Sequence, residues 1–276
     1  MIDCIRRDDR LSPESPAPSP VRLRIAEIYE SVQGEGLLTG TPSVFVRSSG
    51  CNLRCWFCDT PYTSWEPDGE DWSVEEVLAE IDRLNERGRE SLAEMGVAPG
   101  EGRFPPKTPD SACHAVITGG EPMLFAEMIP LCDRLHAQGW HITIETAGTL
   151  FLPVECDLMS ISPKLAGSTP TQDRAGKWHA RHERTRHQPE VIRQLSGAYD
   201  YQLKFVIDQT SDLEEVQAWL AEFPNVRRDR VLLMPQGIEA GTLAATGTWL
   251  APYCREQGFV FCPRKHIEWY GAKRGT

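Results

Sequence analysis

"SVFVRSSGCNLRCWFCDT", residues 43–60, decides the fold. Its first half, with Val44, Phe45 and Val46 in succession, is an apolar, β-rich run that reads as a strand. The strand leads straight into Cys51, Cys55 and Cys58, spaced C-x3-C-x2-C. Regular structure therefore stops, and chemistry begins, at one point of the chain.

The rest of the sequence repeats this arrangement. "HAVITGGEP" (114–122) reads as a buried strand that stops at paired glycines. "HITIETAGT" (141–149), "DLMSISPK" (157–164), "YQLKFVID" (201–208) and "RVLLMPQG" (230–237) are further apolar strands with polar ends. Helices fall between them. "SVEEVLAEIDRLN" (73–85) opens on a capping box, Ser73 and Glu76, and puts Val74, Val77, Leu78, Ile81 and Leu84 on one face. "FAEMIPLCDRLHAQG" (125–139), "SDLEEVQAWLAEF" (211–223) and "TLAATGTWLAPYCREQG" (242–258) read as helices too. "RLRIAEIYESVQ" (22–33) supplies a first strand, and "FVFCPRKHIEWYG" (259–271) a last strand and tail. Strands alternating with helices predict a parallel sheet with right-handed crossovers. The complete units are too few for an eight-fold barrel, so the expected fold is an α/β, incomplete TIM-like barrel.

Residues 1–20, with the proline-rich "LSPESPAPSP", predict a disordered tail. Residues 21–276 then form a single domain with surface insertions near 86–112 and 166–195, the second read as a mobile loop. The formal net charge of −11 offers no field for nucleic acid or an anionic membrane. No run of about 18 apolar residues and no signal-peptide core is present, so the cytoplasm is the expected compartment.

Nine cysteines is an odd number, and a chain of 276 residues is too large to need a disulfide framework, so clustered cysteines point to metal. Cys4, Cys113, Cys132, Cys156, Cys254 and Cys262 are scattered and read as ordinary thiols. The clustered three are different. Three thiolates can hold three irons of a 4Fe–4S cluster and leave the fourth open. Structural zinc usually brings a second Cys or His pair, and "HARHERTRH" (179–187) is arginine-rich enough to read as a solvated loop. Cys51–Cys58, Thr118–Glu121, Glu145–Thr146, Ser162–Lys164 and Met234–Gln236 all follow strands. In barrel-like α/β folds those strand ends form the active-site face, which points to an enzyme.

The cysteine spacing, with Phe57 before the last cysteine and "TGGEP" (118–122) downstream, resembles the radical S-adenosylmethionine superfamily. The wider set "SVQGEG" (31–36), "RSSGCNLRCWFCDT" (47–60), "VITGGEP", "IETAGT" and "SISPK" resembles the 7-carboxy-7-deazaguanine synthases, from about residue 22 to 270. That resemblance implies a radical lyase that converts 6-carboxy-5,6,7,8-tetrahydropterin to 7-carboxy-7-deazaguanine with loss of ammonia. It implies Cys51, Cys55 and Cys58 on the 4Fe–4S cluster, with S-adenosylmethionine on the open iron, and Thr60 on Mg²⁺. Val32, Gln33, Gly34, Arg47 and Thr118 match substrate-binding positions. Phe57, Asp59, Gly120, Ser162, Pro163 and Lys164 match positions around S-adenosylmethionine, as do Leu233, Met234, Pro235 and Gln236 more loosely. The chain runs on beyond the point where some members end, so Lys265 and His266 are expected to take over a substrate contact. Implied partners are the pterin, an electron donor such as flavodoxin or ferredoxin, and a second copy in a homodimer. A glycyl-radical activating enzyme, or a non-catalytic iron–sulfur protein, remains the alternative reading of the cysteines.

Overall fold

The computed structural model describes residues 22–94 and 113–275. The tail expected at 1–20, and residues 95–112 of the first expected insertion, lie outside them. Within the described residues one nine-stranded sheet carries the molecule, in the order β3-β1-β2-β4-β5-β6-β7-β8-β9. β1 (Arg22–Val32) and β2 (Pro42–Ser48) are antiparallel, and β3 (Glu70–Ser73) adds antiparallel to the outer side of β1. From β2 onward every pairing is parallel: β4 (His114–Gly119), β5 (His141–Thr146), β6 (Leu158–Ile161), β7 (Tyr201–Ile207), β8 (Val231–Pro235) and β9 (Val260–Phe261). β3 and β9 are the two edges and do not pair, so the barrel is partial, as the strand count predicts.

The helices follow the sequence closely where apolar periodicity is strong. After a single turn, α1 (Pro61–Ser64), comes α2 (Val74–Glu94). Its capping box is reciprocal: Glu76 N–H donates to Ser73 Oγ at 3.2 Å, and Ser73 N–H to Glu76 Oε2 at 2.7 Å. The backbone stays helical through 86–94, where an insertion was expected to begin. α3 (Met128–Ala137) ends before Gly139, whose φ of 84° a side chain would resist.

Two expectations are corrected. Residues 166–195 are no loop but a 3-10 turn (Ala166–Ser168) and three helices, α4 (Gln172–Ala175), α5 (Lys177–Thr185) and α6 (Pro189–Ala198). The buried residue of α5 is His182, a polar type that gives no hydrophobic period to read. After α7 (Asp212–Ala221) and α8 (Ala240–Gln257), the expected tail also holds a helix, α9 (Lys265–Tyr270). No helix of the described residues is long and apolar enough to cross a membrane.

The sheet's two faces differ in chemistry. Val46, Ile117, Ile144, Ile161, Phe205 and Leu233 belong to the main core with Ile81, Leu131, Ile192, Val216 and Leu250 of the helices. Their neighbours point inward, because side chains alternate along a strand. Arg47, Thr118, Glu145, Ser160 and Lys204 are such neighbours, and the register sets Arg47 beside Thr118 and Glu145 beside Ser160. The barrel interior is therefore polar, closed on the β8 side by a small apolar group of Leu232, Met234 and Cys262.

At the start of β4 lies His114, which is buried. Its Nδ1 is 2.7 Å from Ser43 Oγ and its Nε2 2.8 Å from Thr143 Oγ1. Ser43 spends its proton on the Thr41 carbonyl at 2.9 Å, so the imidazole donates to Ser43 and accepts from Thr143. Burial, reinforced by neighbouring His141, pushes His114 down to about 3. A histidine kept neutral when folded, and free to charge near pH ~6.5 when unfolded, adds stability above that pH and loses it as pH falls toward the folded value. Denaturant midpoints measured from pH 7 to 4 should fall less steeply for His114→Gln than for the parent; parallel slopes would mean the histidine is not held neutral.

Candidate active site

The polar interior opens into a cavity of about 870 Å³, within the size range of small-molecule sites. Cys51, Cys55 and Cys58 line it, together with Arg47, Gln33 and Thr118, so the cluster motif and the interior of the barrel share one space. The cysteine loop is held there by backbone. Gly50 N–H donates to Thr63 O at 2.8 Å, Glu121 N–H to Gly50 O at 2.9 Å, and Gly120 N–H to Ser48 O at 3.1 Å. A Cβ on Gly120 would stand 2.1 Å from Gly50 O, so the glycine-rich turn and the cysteine loop touch only because residue 120 has no side chain. Below them the buried Glu121 carboxylate accepts from Thr146 Oγ1 (2.7 Å), Ala147 N–H (2.8 Å) and Met123 N–H (3.1 Å), tying β4's turn to β5's.

The three cysteines fit a polynuclear cluster. Burial pushes both Cys51 and Cys55 up to about 12, with Glu121 adding to Cys51 and Lys164 partly opposing at Cys55. Bare thiolates are disfavoured here, and a metal's positive charge is what would stabilise them. Among the described residues no group of three or more His, Cys, Asp or Glu side chains closes on a single ion, and the three cysteines line the open cavity. Leu53 N–H approaches Cys51 Sγ at 3.4 Å and Ser64 Oγ approaches Cys58 Sγ at 3.2 Å, contacts that orient the ligand atoms. Thr60 sits at the N-cap of α1 yet makes no capping bond. Its hydroxyl is 3.9 Å from Cys58 Sγ and faces the cavity.

Two ion networks shape the cavity wall. In the first, Glu27 accepts from Arg47 Nε at 2.6 Å, Tyr62 OH at 2.8 Å and Arg274 Nε at 3.0 Å. Tyr29 OH accepts from Arg47 Nη2 at 2.8 Å. One side of the Arg47 fork is thus occupied, and an incoming carboxylate must meet its Nη1–Nη2 end. In the second network Glu35 carries an ion pair with Lys204 and one with Arg264 at 3.1 Å, and His266 Nδ1 lies 3.8 Å away. Burial alone would raise the Glu35 carboxyl, but Lys204 and Arg264 outweigh it and hold it far below the usual range. Arg264 also pairs with Asp59, beside the last cysteine. Glu145 extends the second network: Thr118 Oγ1 donates to it at 2.9 Å and Gln33 Nε2 at 3.3 Å, with Lys204 Nζ 4.0 Å away.

Most residues singled out from the sequence meet in this cavity: Val32, Gln33, Gly34, Arg47, Phe57, Asp59, Thr60, Thr118, Gly120, Ser162 and Lys164 all line it. Strand alternation decides the stretch after β8's start. Met234 and Gln236 reach the cavity, whereas Leu233 packs outward in the core and Pro235 is buried away from the cavity. Pro163 borders a separate small pocket of about 70 Å³ with Phe57 and Ser168. His266 lines the cavity, against Gly34, but Lys265 points away and pairs with Glu268 at 2.6 Å. Sequence reasoning missed Lys204, Arg264, Glu27 and Arg274 as members of the wall. A lone lysine inside the apolar strand "YQLKFVID" was a readable sign of an inward charge; Arg264 and Arg274 gave none.

The likenesses to known proteins agree with this geometry. Residues 45–100 match the family model described as the Radical SAM superfamily. The chain is 40% identical over 266 residues to the 7-carboxy-7-deazaguanine synthase of Rhodopirellula baltica, covering 96% of this chain and 93% of that one. It is 41% identical over 254 residues to the protein of the same name from Halobacterium salinarum, covering 89% of each. The crystal structure of QueE from Escherichia coli superimposes with a TM-score of 0.57 at 22% identity, over 89% of this chain and 95% of that one, a likeness of fold.

Glu35 neutralises two buried cations, so removing its charge should be expensive. Glu35→Gln should lower unfolding free energy by about 3–5 kcal/mol, the usual result of breaking a buried pair from one side. Adding Lys204→Met should return part of that loss. Equal denaturant curves for Glu35→Gln and the parent would show that the network does not hold the cavity together.

Proposed function

The chain belongs to the 7-carboxy-7-deazaguanine synthases, radical S-adenosylmethionine enzymes of queuosine biosynthesis with a 4Fe–4S cluster, and we propose that its cavity performs the family's conversion of 6-carboxy-5,6,7,8-tetrahydropterin to 7-carboxy-7-deazaguanine with release of ammonia. One observation carries the reading: Cys51, Cys55 and Cys58 open onto the same cavity as Arg47, Gln33 and Thr118. When bound, the cluster and S-adenosylmethionine supply the one-electron chemistry that starts the reaction.

This chain's own residues bind, orient and shield. The free end of the Arg47 guanidinium meets the substrate carboxylate, and Glu27 and Tyr29 fix the plane of that fork. Gln33 can donate to and accept from the pyrimidine edge. Glu145, held by Thr118 and Gln33, offers an acceptor at the same depth. At the other end, Ser162 and Lys164 take S-adenosylmethionine; Lys164 Nζ is drawn toward Ser162 Oγ at 2.7 Å and O at 2.8 Å, which sets the ammonium at the rim. Gly120, Phe57 and Asp59 border the same ligand from the cluster side. Thr60, whose hydroxyl makes no capping bond, accepts from Thr63 Oγ1 at 3.2 Å and lies by Cys58, is the Mg²⁺ ligand; a hard cation that keeps its waters needs no more from the protein than one or two oxygens. A homodimer that draws electrons from a flavodoxin- or ferredoxin-type donor completes the proposal.

The test is product mass after anaerobic incubation with the carboxy-tetrahydropterin, S-adenosylmethionine and reductant. A product lighter than the substrate by the elements of ammonia is expected; S-adenosylmethionine cleavage with intact pterin would overturn the substrate assignment. For the metal, Thr60→Val should lower turnover and flatten its response to added Mg²⁺ while iron content stays the same, and Thr60→Ser should keep much of the activity. A Thr60→Val enzyme that responds to Mg²⁺ as the parent does would place the metal elsewhere.

A further inference from the structure

The cysteine loop is buried on the cavity side, and its neighbours show where it comes nearest the outside. Trp56, between Cys55 and Phe57, is 39% exposed, although Cys55 itself is buried. Trp56 is fixed in place: its backbone N–H donates to Ser168 O at 3.1 Å and its indole N–H to Gly167 O at 2.7 Å. Trp65, close by, donates its indole N–H to Cys55 O at 3.0 Å. This patch therefore brings an exposed aromatic ring within one residue of a cluster cysteine.

The charge around that patch is opposite to that of the molecule. Residues 172–186 carry five Lys or Arg against two carboxylates, in a chain of net charge −11. Arg174, Lys177, Arg181 and Arg184 are exposed, and none is in an ion pair among the described residues. One of these cations bonds the cysteine loop itself, and another shares an aromatic ring with it. Arg174 Nη1 donates to Trp56 O at 3.1 Å, and its guanidinium lies 4.6 Å from the Trp65 ring centre. Arg54, within the motif, lies 3.7 Å from the Trp178 ring centre, and Arg181 lies 4.4 Å from that same centre. His182, buried one position after Arg181, accepts the Arg54 backbone N–H at Nδ1 (3.1 Å), and its Nε2 lies 2.9 Å from Ser168 Oγ. The basic helix α5 is thus bolted to the segment between Cys51 and Cys55.

We infer that the face made by Trp56, Arg174 and the exposed cations of α5 is the docking surface for an acidic one-electron carrier protein. The inference rests on the radical-enzyme reading above and adds the place of contact. In the step it serves, the reduced carrier loses one electron and the cluster gains one; no atom or proton is exchanged. An acidic partner fits because a local cationic patch on a net-negative protein steers an acidic protein toward that face, beside Trp56 and the cysteine loop. The exposed indole supplies the uncharged centre of the contact, with the cations as its rim.

Lys177→Glu/Arg181→Glu/Arg184→Glu tests this on the cluster-loaded enzyme, with a purified acidic flavodoxin as the probe and reduced methyl viologen, a small cation, as the control reductant. The charge-reversed enzyme should bind oxidised flavodoxin about tenfold more weakly or worse by calorimetry at low salt, and the binding should lose most of its dependence on ionic strength. The KM for reduced flavodoxin should rise in step, with viologen-driven turnover and iron content unchanged. Undiminished flavodoxin affinity and KM would overturn the inference, as would an equal fall in viologen-driven turnover, which would assign the cations to loop structure. RNA that binds the parent and not the variant, with flavodoxin binding unaltered, would assign the patch to a different partner. Should the parent fail to cleave S-adenosylmethionine even with viologen, the underlying enzyme reading fails instead, before the patch is in question.

Discussion

Each strand of this sheet must satisfy two opposed environments, and the period-two alternation of its side chains does so. Outward positions such as Ile117, Ile144 and Phe205 are fully removed from water among the helices. Burial of side chains this large is worth about 1.5–3 kcal/mol each, and it lets the inward positions be chosen for chemistry. Thr118 follows Ile117, Glu145 follows Ile144, and Lys204 precedes Phe205. A shift of one residue in any strand would bury the charges among the helices and empty the cavity of its polar groups.

Charged groups placed inside a barrel must then neutralise one another, and here they do so in a chain. Asp59 pairs with Arg264, Arg264 with Glu35, Glu35 with Lys204, and Lys204 faces Glu145. This chain links the residue after the last cysteine to the floor of the cavity. The Arg47–Glu27–Arg274 group does the same for the opposite wall. Such buried pairs contribute little net stability but make each partner costly to remove. These pairs tie the cavity wall together, and a wall ordered in advance favours binding by cutting the ordering cost.

The sequence made the outward half of the design legible and concealed part of the inward half. Apolar runs marked the parallel strands, and the Ser73–Glu76 box marked the start of α2, because burial and capping leave local signals. β3 was not foreseen: "EDWS" has no apolar alternation, and its pairing with β1 is set by an edge the fold creates. α5 was read as a solvated loop because its single buried position is His182, satisfied by Arg54 N–H and Ser168 Oγ, partners distant in sequence. For the site, motif residues up to Lys164 reach the cavity, with Pro163 the exception in its small side pocket. Leu233 and Pro235 do not, since a stretch of sequence cannot be all inward in a strand. Arg264 enters from the final segment through tertiary folding alone, beside His266, which the resemblance points to.

The account stands on three thiols holding a cluster with one iron left for a ligand, and iron-57 Mössbauer spectroscopy of the anaerobically reconstituted protein addresses this most directly. Spectra with and without S-adenosylmethionine should show about four irons per chain, the number in a single cluster, with one of them changing its parameters when the ligand is added and three unchanged. Four irons that stay equivalent in both samples, or a chain that takes up zinc in place of iron, would contradict the account.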